Sequence, residues 1–507
     1  MQAVSDLATL SLALLVLCAG TPMRPLLAQC PDGSPPPCSR AAARPAIQPT
    51  SLAVLYFENA SRDTTDAYLA DGITEEIISR LSEVGRLQVK SRYQVRRYRI
   101  EATENAADIG RQLAVARIVT GSVRRAGNRL RVTAEMVRTA TGDVVWSERY
   151  DRADTDVLSL QEDLASAVAT AVTGRLLPAE RQALAVQPTR NPAAYDAYLL
   201  GRFYWNKRTA PDLVAAAAHF EQAIRADSSY AQAWSGLADS YVLFLPAEYD
   251  VPGINPDSIL TLAEQAARRA LALAPQLGEA YASLGEILEY RLRWVEARAA
   301  FERGVALSPL YPTAHLWYGY DLMVWNRWDD AVREMERAKQ LDPLSVVTTV
   351  SLAAAYDGAE RAPEADAMLE QARLLAPDHP LVLYFASVHD LFRGEYEQLA
   401  TDFARLVRVA GADSAAAADL ERRLRDPAQR NATLRETVDR PGRVSWHAFV
   451  YRALDGDDRM IRYLSEQVAD AKRADIGSLL ICGCLGTRLR MDPRMQAVLA
   501  RFGFPQP

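Results

Sequence analysis

Catalysis and metal binding draw on a short menu of side chains held at set spacings. Glu75-Glu76 is the one tight acidic pair in a suggestive setting, near the front of an apolar-periodic segment, where two carboxylates could do general acid–base work. Carboxylates in a helix's first turn also suit the positive end of the helix dipole, and that electrostatic reading is preferred. Five histidines, His219, His315, His379, His389 and His447, are scattered without ligand spacing. The chain contains no His-Glu-x-x-His, no phosphate-cradling glycine loop, no nucleophile elbow and no Cys-x-x-Cys. Cys482-Gly-Cys484 sets two thiols one residue apart, a spacing for a redox-labile disulfide or a soft metal, or simply two small buried hydrophobes; the last is preferred. Catalytic residues, metal ligands and cofactors are therefore expected to be absent, and the chain is expected not to be an enzyme.

Two basic clusters bear on partners. Arg96-Arg97-Tyr98-Arg99 mixes cations with an aromatic ring, as a nucleic-acid or anionic-lipid contact does; Arg124, Arg125, Arg129 and Arg131 gather around one hairpin. The formal net charge is −6, so nucleic acid is not an expected partner, and the clusters read as a solvated edge and as edge-strand protection. Five cysteines fall at the two ends of the 507-residue chain. Such a distribution fits an oxidising compartment. Cys30 and Cys38 flank Pro-Asp-Gly-Ser-Pro-Pro-Pro and form a disulfide candidate in an exported protein.

The elements that must position these residues fall into blocks. Residues 1–29 read as a signal peptide or anchor. Leu7–Ala19 is an apolar run too short for a span of about 20 residues, with cleavage expected after Gly20 or near Ala28; Asp6 stands where a cation is usual. Residues 30–50 are a Pro/Ala-rich linker. Within 51–178, strands are expected at Leu52–Phe57, Leu87–Val89, Ile118–Arg124, Leu130–Met136 and Val144–Arg149. Helices are expected around Leu69–Leu81, Ala107–Leu113 and Leu158–Leu177. The order is β-α-β-α-β-β-β-α, an α+β domain.

Residues 187–407 read as helical repeats. The clearest copies are Gly278–Tyr311, Pro312–Ser345 and Val346–His379, each 34 residues long. Small residues recur at the eighth position (Gly285, Gly319, Ala353), bulky ones at the twenty-fourth (Phe301, Met335, Leu369) and proline at the thirty-second (Pro309, Pro343, Pro377). A stacked helix pair needs a small residue where its helices cross and a breaker before the next pair. This pattern resembles the tetratricopeptide repeat (TPR) family. The resemblance implies an all-α superhelical solenoid that binds proteins or peptides. Residues 408–507 read as degenerate helical pairs and a cap, with Met495, Val498, Leu499 and Phe502 on one face.

Ala53-Val-Leu-Tyr-Phe57, Tyr68-Leu-Ala-Asp-Gly-Ile-Thr-Glu-Glu76, Gly121-Ser-Val-Arg-Arg125, Gly142 and Trp146-Ser-Glu-Arg-Tyr-Asp151 resemble the TolB amino-terminal-like, FlgO-related domain. The same domain pair also occurs behind DNA-binding or kinase domains in bacterial regulators. By repeat position, a concave groove would be lined by Glu279, Glu286, Glu289, Tyr290, Leu316, Tyr320, Met323, Val324 and Val350. Those positions hold no Lys, Arg or Asn, so capture of a C-terminal carboxylate by these three repeats is not expected. The functional expectation is an exported, non-enzymatic scaffold or assembly factor of the periplasm or cell envelope. The alternative is a regulatory module of the kinase, cyclase or transcription-regulator type, in the cytoplasm or at the inner membrane.

Overall fold

The computed structural model describes residues 47–99, 105–245, 251, 253–439, 444–467, 480–481 and 485–505. The candidate export segment, Cys30, Cys38, Cys482 and Cys484 lie outside the described residues. Met1–Ile47 and Gln48–Pro507 are separate units, and the second carries the fold.

The α+β order comes out as the hydrophobic pattern dictates. Strand β1 (Ser51–Val54) is buried along its whole length, as befits a strand flanked on both sides. After it come β2 (Glu58–Asn59), helix α1 (Ala67–Ser82), β3 (Gln88–Val89), the short α2 (Arg92–Val95) and α3 (Ala106–Leu113). A meander of β4 (Arg117–Ala126), β5 (Arg129–Arg138) and β6 (Val144–Ala153) leads into α4 (Val157–Thr173). The sheet runs β3-β1-β4-β5-β6, with β2 also on β4; β1 is parallel to β3 and β4, and the meander is antiparallel. Strand β5 alternates as expected, with Leu130, Val132, Ala134 and Met136 fully buried.

Two boundaries differ from expectation. Helix α1 begins at Ala67, so Glu75 and Glu76 lie in its middle rather than at its front, and the dipole reading does not apply to them. The closing helix stops at Thr173 because Gly174 turns the backbone to φ 80°; a further short helix, α5 (Pro178–Leu184), follows.

Six antiparallel helix pairs follow: α6 (Pro192–Lys207) with α7 (Ala210–Ala226), α8 (Ala231–Val242) with α9 (Pro256–Leu273), α10 (Gly278–Tyr290) with α11 (Trp294–Leu307), α12 (Pro312–Val324) with α13 (Trp328–Leu341), α14 (Val346–Gly358) with α15 (Ala362–Leu375), and α16 (Pro380–Arg393) with α17 (Tyr396–Val409). The repeat spacing has its mechanical meaning here. A Cβ on Gly285 would stand 2.5 Å from the Phe301 ring, and one on Gly319 would stand 2.7 Å from Met335. Ala353 and Leu369 share one buried cluster. Each of these three pairs turns through a left-handed residue at its fifteenth position: Leu292, Asn326 and Glu360, with φ of 60°, 61° and 60°. First helices also touch one another along the stack (α8, α10 and α12; α12, α14 and α16).

The remaining described helices are α18 (Ser414–Arg425), α19 (Arg430–Val438), α20 (Val444–Asp455), α21 (Asp457–Gln467), α22 (Gly486–Arg490) and α23 (Pro493–Arg501). Met495, Val498, Leu499 and Phe502 are buried as a cap requires. The cap reaches further back than the last pair. The Trp294 indole Nε1 donates to the Gly503 carbonyl at 2.8 Å, and its ring meets Phe504 at 5.6 Å. Arg490, fully buried, donates to the carbonyls of Met323 and Val324, which end α12. A cation at a helix C-terminus satisfies carbonyls that have no partner within their own helix.

Candidate functional site

The expected open groove does not form along its whole predicted length. Leu316, Met323, Val324 and Val350 are all buried, each less than a tenth exposed. Val350 packs with Ala372 and Val382 of neighbouring helices, and Val324 joins a cluster that includes Leu485 and Leu489 from the returning C-terminal segment. Stacked first helices and that segment cover these positions, which repeat numbering alone places outward. Tyr320 is half-buried, with its hydroxyl 2.6 Å from Ser351 Oγ on α14. Burial among Glu286, Asp321 and their neighbours pushes the Glu289 carboxyl well above its ordinary range. Tyr290 and Glu286 are half-buried, and Glu279 lines a different feature.

That feature is a cavity of about 860 Å³ between α1 and α2 on one side and α6, α8 and α10 on the other. Two sets of contacts bracket it. On the near side, a Cβ on Gly72 of α1 would stand 2.5 Å from the Leu199 side chain of α6, so the helices approach closely. There the Tyr68 hydroxyl donates to Asp196 at 2.6 Å, and Arg80 Nη1 donates to the Leu184 carbonyl at 2.6 Å. On the far side, Ser91 Oγ donates to the Leu341 carbonyl at 3.0 Å and Gln94 Nε2 to the Gln340 carbonyl at 3.1 Å. The α+β domain thus spans from the first helix pair to the fourth.

The walls hold both signs of charge: five carboxylate and five cationic side chains are among the lining residues. Glu75 accepts from the Tyr56 hydroxyl at 3.0 Å and from Arg92 Nη1 at 2.9 Å. Burial, with the Glu75 charge adding to it, pushes the Tyr56 hydroxyl well above its usual range. Glu76 pairs with Arg80 at 2.8 Å. The acidic pair read from sequence as carboxylates suited to the helix dipole is thus part of a cavity wall.

Arg202 of α6 is the residue that sequence reading missed. Its side chain is 6% exposed and faces Asp239 of α8 at 3.4 Å, with the Trp205 ring 4.6 Å away. Asp239 also accepts from the Ser283 hydroxyl and, at 3.4 Å, from the Tyr311 hydroxyl, so one carboxylate ties together α6, α8, α10 and the turn before α12. Burial pushes the Asp239 carboxyl up to about 6, against the opposing pull of Arg202. Arg202 Nε and Nη2 are buried with no hydrogen-bond partner. Tyr195, Tyr198, Arg202 and Trp205 share a helix stripe in the sequence, but that stripe does not say that the arginine is buried or which carboxylate meets it.

Several members of the other clusters pair within the chain. Arg129 and Arg131 both pair with Asp151 across the β5–β6 ladder, at 2.5 and 2.7 Å. Arg125 reaches Asp66 at 3.3 Å and Asp196 at 3.6 Å, the latter on α6. Arg96 approaches Asp342 at 3.9 Å, and Arg97 bonds the Tyr98 hydroxyl. His389 is held between Asp357 and Asp366, at 2.8 Å from each, and His315 pairs with Glu334 at 2.7 Å. Among the described residues no group of three or more His, Cys, Asp or Glu is placed to hold a metal ion, and no helix is long and apolar enough to cross a membrane.

Residues 48–167 match the family model described as HilA/YgeH-like transcriptional regulator, second domain. A protein of Rhizobium meliloti (strain 1021), "Putative adenylate cyclase 3", is 38% identical over 152 residues, which are 30% of this chain and 26% of that protein. The chain thus spans about a quarter of the length of the curated relative it matches. Among solved structures, a thermophilic TPR protein of Thermus thermophilus is 19% identical and covers 36% of this chain and 92% of its own, with a TM-score of 0.30. The type IV pilus biogenesis factor PilW is 13% identical and covers 53% of this chain and 98% of its own, with a TM-score of 0.33.

Proposed function

We propose that this chain is a non-enzymatic protein-interaction scaffold in which the α+β domain and the TPR-like solenoid work as one unit. The observation that carries this reading is the double anchorage of the α+β domain, through Tyr68 and Gly72 at one end and Ser91 and Gln94 at the other. Such an arrangement presents a fixed composite surface, as a scaffold requires. The kinship of the α+β domain with the TolB-like and FlgO-related proteins, and export to the periplasm or cell envelope, belong to this reading.

A second reading is favoured by a specific observation. The family model over residues 48–167 is that of a transcriptional regulator's second domain, and the curated relative is named as an adenylate cyclase. A regulatory module serving such an output domain would stay in the cytoplasm or at the inner membrane.

One experiment separates the two. Residues 1–50 are fused to an export reporter, the mature N-terminus is sequenced, and the full tagged chain is recovered with its bound proteins by cross-linking in cells. Cleavage near Gly20 or Ala28 together with envelope partners supports the exported scaffold. An intact cytoplasmic product bound to a cyclase, kinase or transcription regulator supports the second reading. Recovery of the chain with no specific protein partner in either compartment overturns both.

A further inference from the structure

We propose that the cavity between the α+β domain and the first solenoid helices binds a small zwitterion of the amino-acid or short-peptide class, with its carboxylate at Arg202 and its ammonium group at Glu279. This is separate from the scaffold reading: it concerns an internal cavity rather than a protein-docking surface.

Size is the first argument. At about 860 Å³ the cavity lies within the range of roughly 300–1,000 Å³ typical of small-molecule sites, and it sits at a domain boundary, where such sites concentrate.

Charge is the second. Arg202 lines the cavity, is 5% exposed, and has two guanidinium nitrogens without a partner. Its ion-pair partner, Asp239, is 3.4 Å away and is shared with Ser283 and Tyr311. A buried guanidinium left short of acceptors is costly, and a ligand carboxylate, which takes two parallel N–H bonds, is the group that matches it.

The balance of the walls then selects the rest of the ligand. Five carboxylates face five cations, so a polyanion or a plain cation meets as much repulsion as attraction. A molecule carrying one charge of each sign does not. Glu279, half-buried on α10, lines the same cavity and is placed to receive the ammonium end. Tyr198, Phe203 and Tyr230 supply aromatic wall for the ligand's body.

The test uses the full chain and isothermal titration calorimetry at pH 7. The probes are each of the twenty common L-amino acids, trialanine, and the N-acetyl and carboxamide derivatives of whichever binds best; sodium phosphate is the anion control. Saturable binding of a free amino acid or of trialanine is expected, and blocking either end is expected to weaken it at least tenfold. Arg202→Met is expected to abolish binding. Glu279→Gln is expected to weaken the free form about tenfold and leave the N-acetyl form unchanged. Preference for trialanine over every amino acid assigns the site to peptides, and the reverse to free amino acids. Absence of binding by every probe overturns the proposal, as does equal binding of free and blocked forms, or binding of phosphate alone. If Arg202→Met fails to fold by circular dichroism, Glu279→Gln decides, and an unchanged affinity there overturns the assignment.

Discussion

Asp239 shows what a single buried residue contributes and how that can be measured. Its carboxyl is pushed up to about 6 because burial outweighs Arg202 and the Ser283 hydroxyl. The folded chain therefore holds this proton more tightly than the unfolded chain does. The stability it lends is fully present below the ordinary carboxylate range, near pH 4, and is lost as pH rises through about 6. Asp239→Asn cannot titrate. The difference in unfolding free energy, wild type minus variant, is expected to fall by up to about 3 kcal/mol between pH 4 and pH 7, at roughly 1.4 kcal/mol per pH unit. Urea melts at four pH values check this, and parallel curves would sink it. This residue and Arg202 were not legible in the sequence as a site, although their helices were. An arginine at a helix position announces neither its burial nor its partner, because both depend on which helix closes over it. Glu75 and Glu76 were visible as a pair, but what governs them is the cavity they line with residues of α6 and α10, which no local pattern encodes.

At the scale of elements the sequence was most informative where one residue must touch another at fixed spacing. Position eight of each clear repeat is small because position twenty-four of the partner helix lands on it, and the structure places Gly285 under Phe301 and Gly319 under Met335. The two contacts are not equivalent. Both partners are fully buried, but Phe301 is a rigid ring, whereas Met335 meets Gly319 with its Cγ and Cε and can change rotamer. An alanine at either position gains up to about 1 kcal/mol of helix propensity over glycine. Gly285→Ala is nevertheless expected to be destabilising by about 1–3 kcal/mol through overpacking. Gly319→Ala is expected to stay within about 1 kcal/mol of wild type, because Met335 can move aside. Thermal melts of both variants test the contrast, and equal losses would contradict it. What repeat spacing could not reveal was the fate of the groove. Val324 is covered partly by Leu485 and Leu489, more than 150 residues later in the chain, and no local period encodes such a return.

For the molecule as a whole, the open question is whether the α+β domain is merely strung before the solenoid or built into it. The far anchor decides. Ser91 is buried, caps α2 and donates to the Leu341 carbonyl; Gln94 closes the same cap and donates to the Gln340 carbonyl. Both acceptors lie at the end of α13, some 250 residues along the chain, and each contact is worth about 1 kcal/mol on the scale of neutral hydrogen bonds. The near anchor is independent of them: Tyr68 to Asp196, and Gly72 against Leu199. A double variant, Ser91→Ala with Gln94→Ala, should therefore release one end and leave the other seated. Hydrogen exchange followed by mass spectrometry is expected to show faster exchange in 88–99 and 338–345, with 67–82 and 192–207 unchanged, because local opening follows the contacts removed. If exchange rises evenly across both anchors, the domain docks as a single rigid body. If neither changes, the far contacts hold nothing and the domain is attached at α1 and α6 alone.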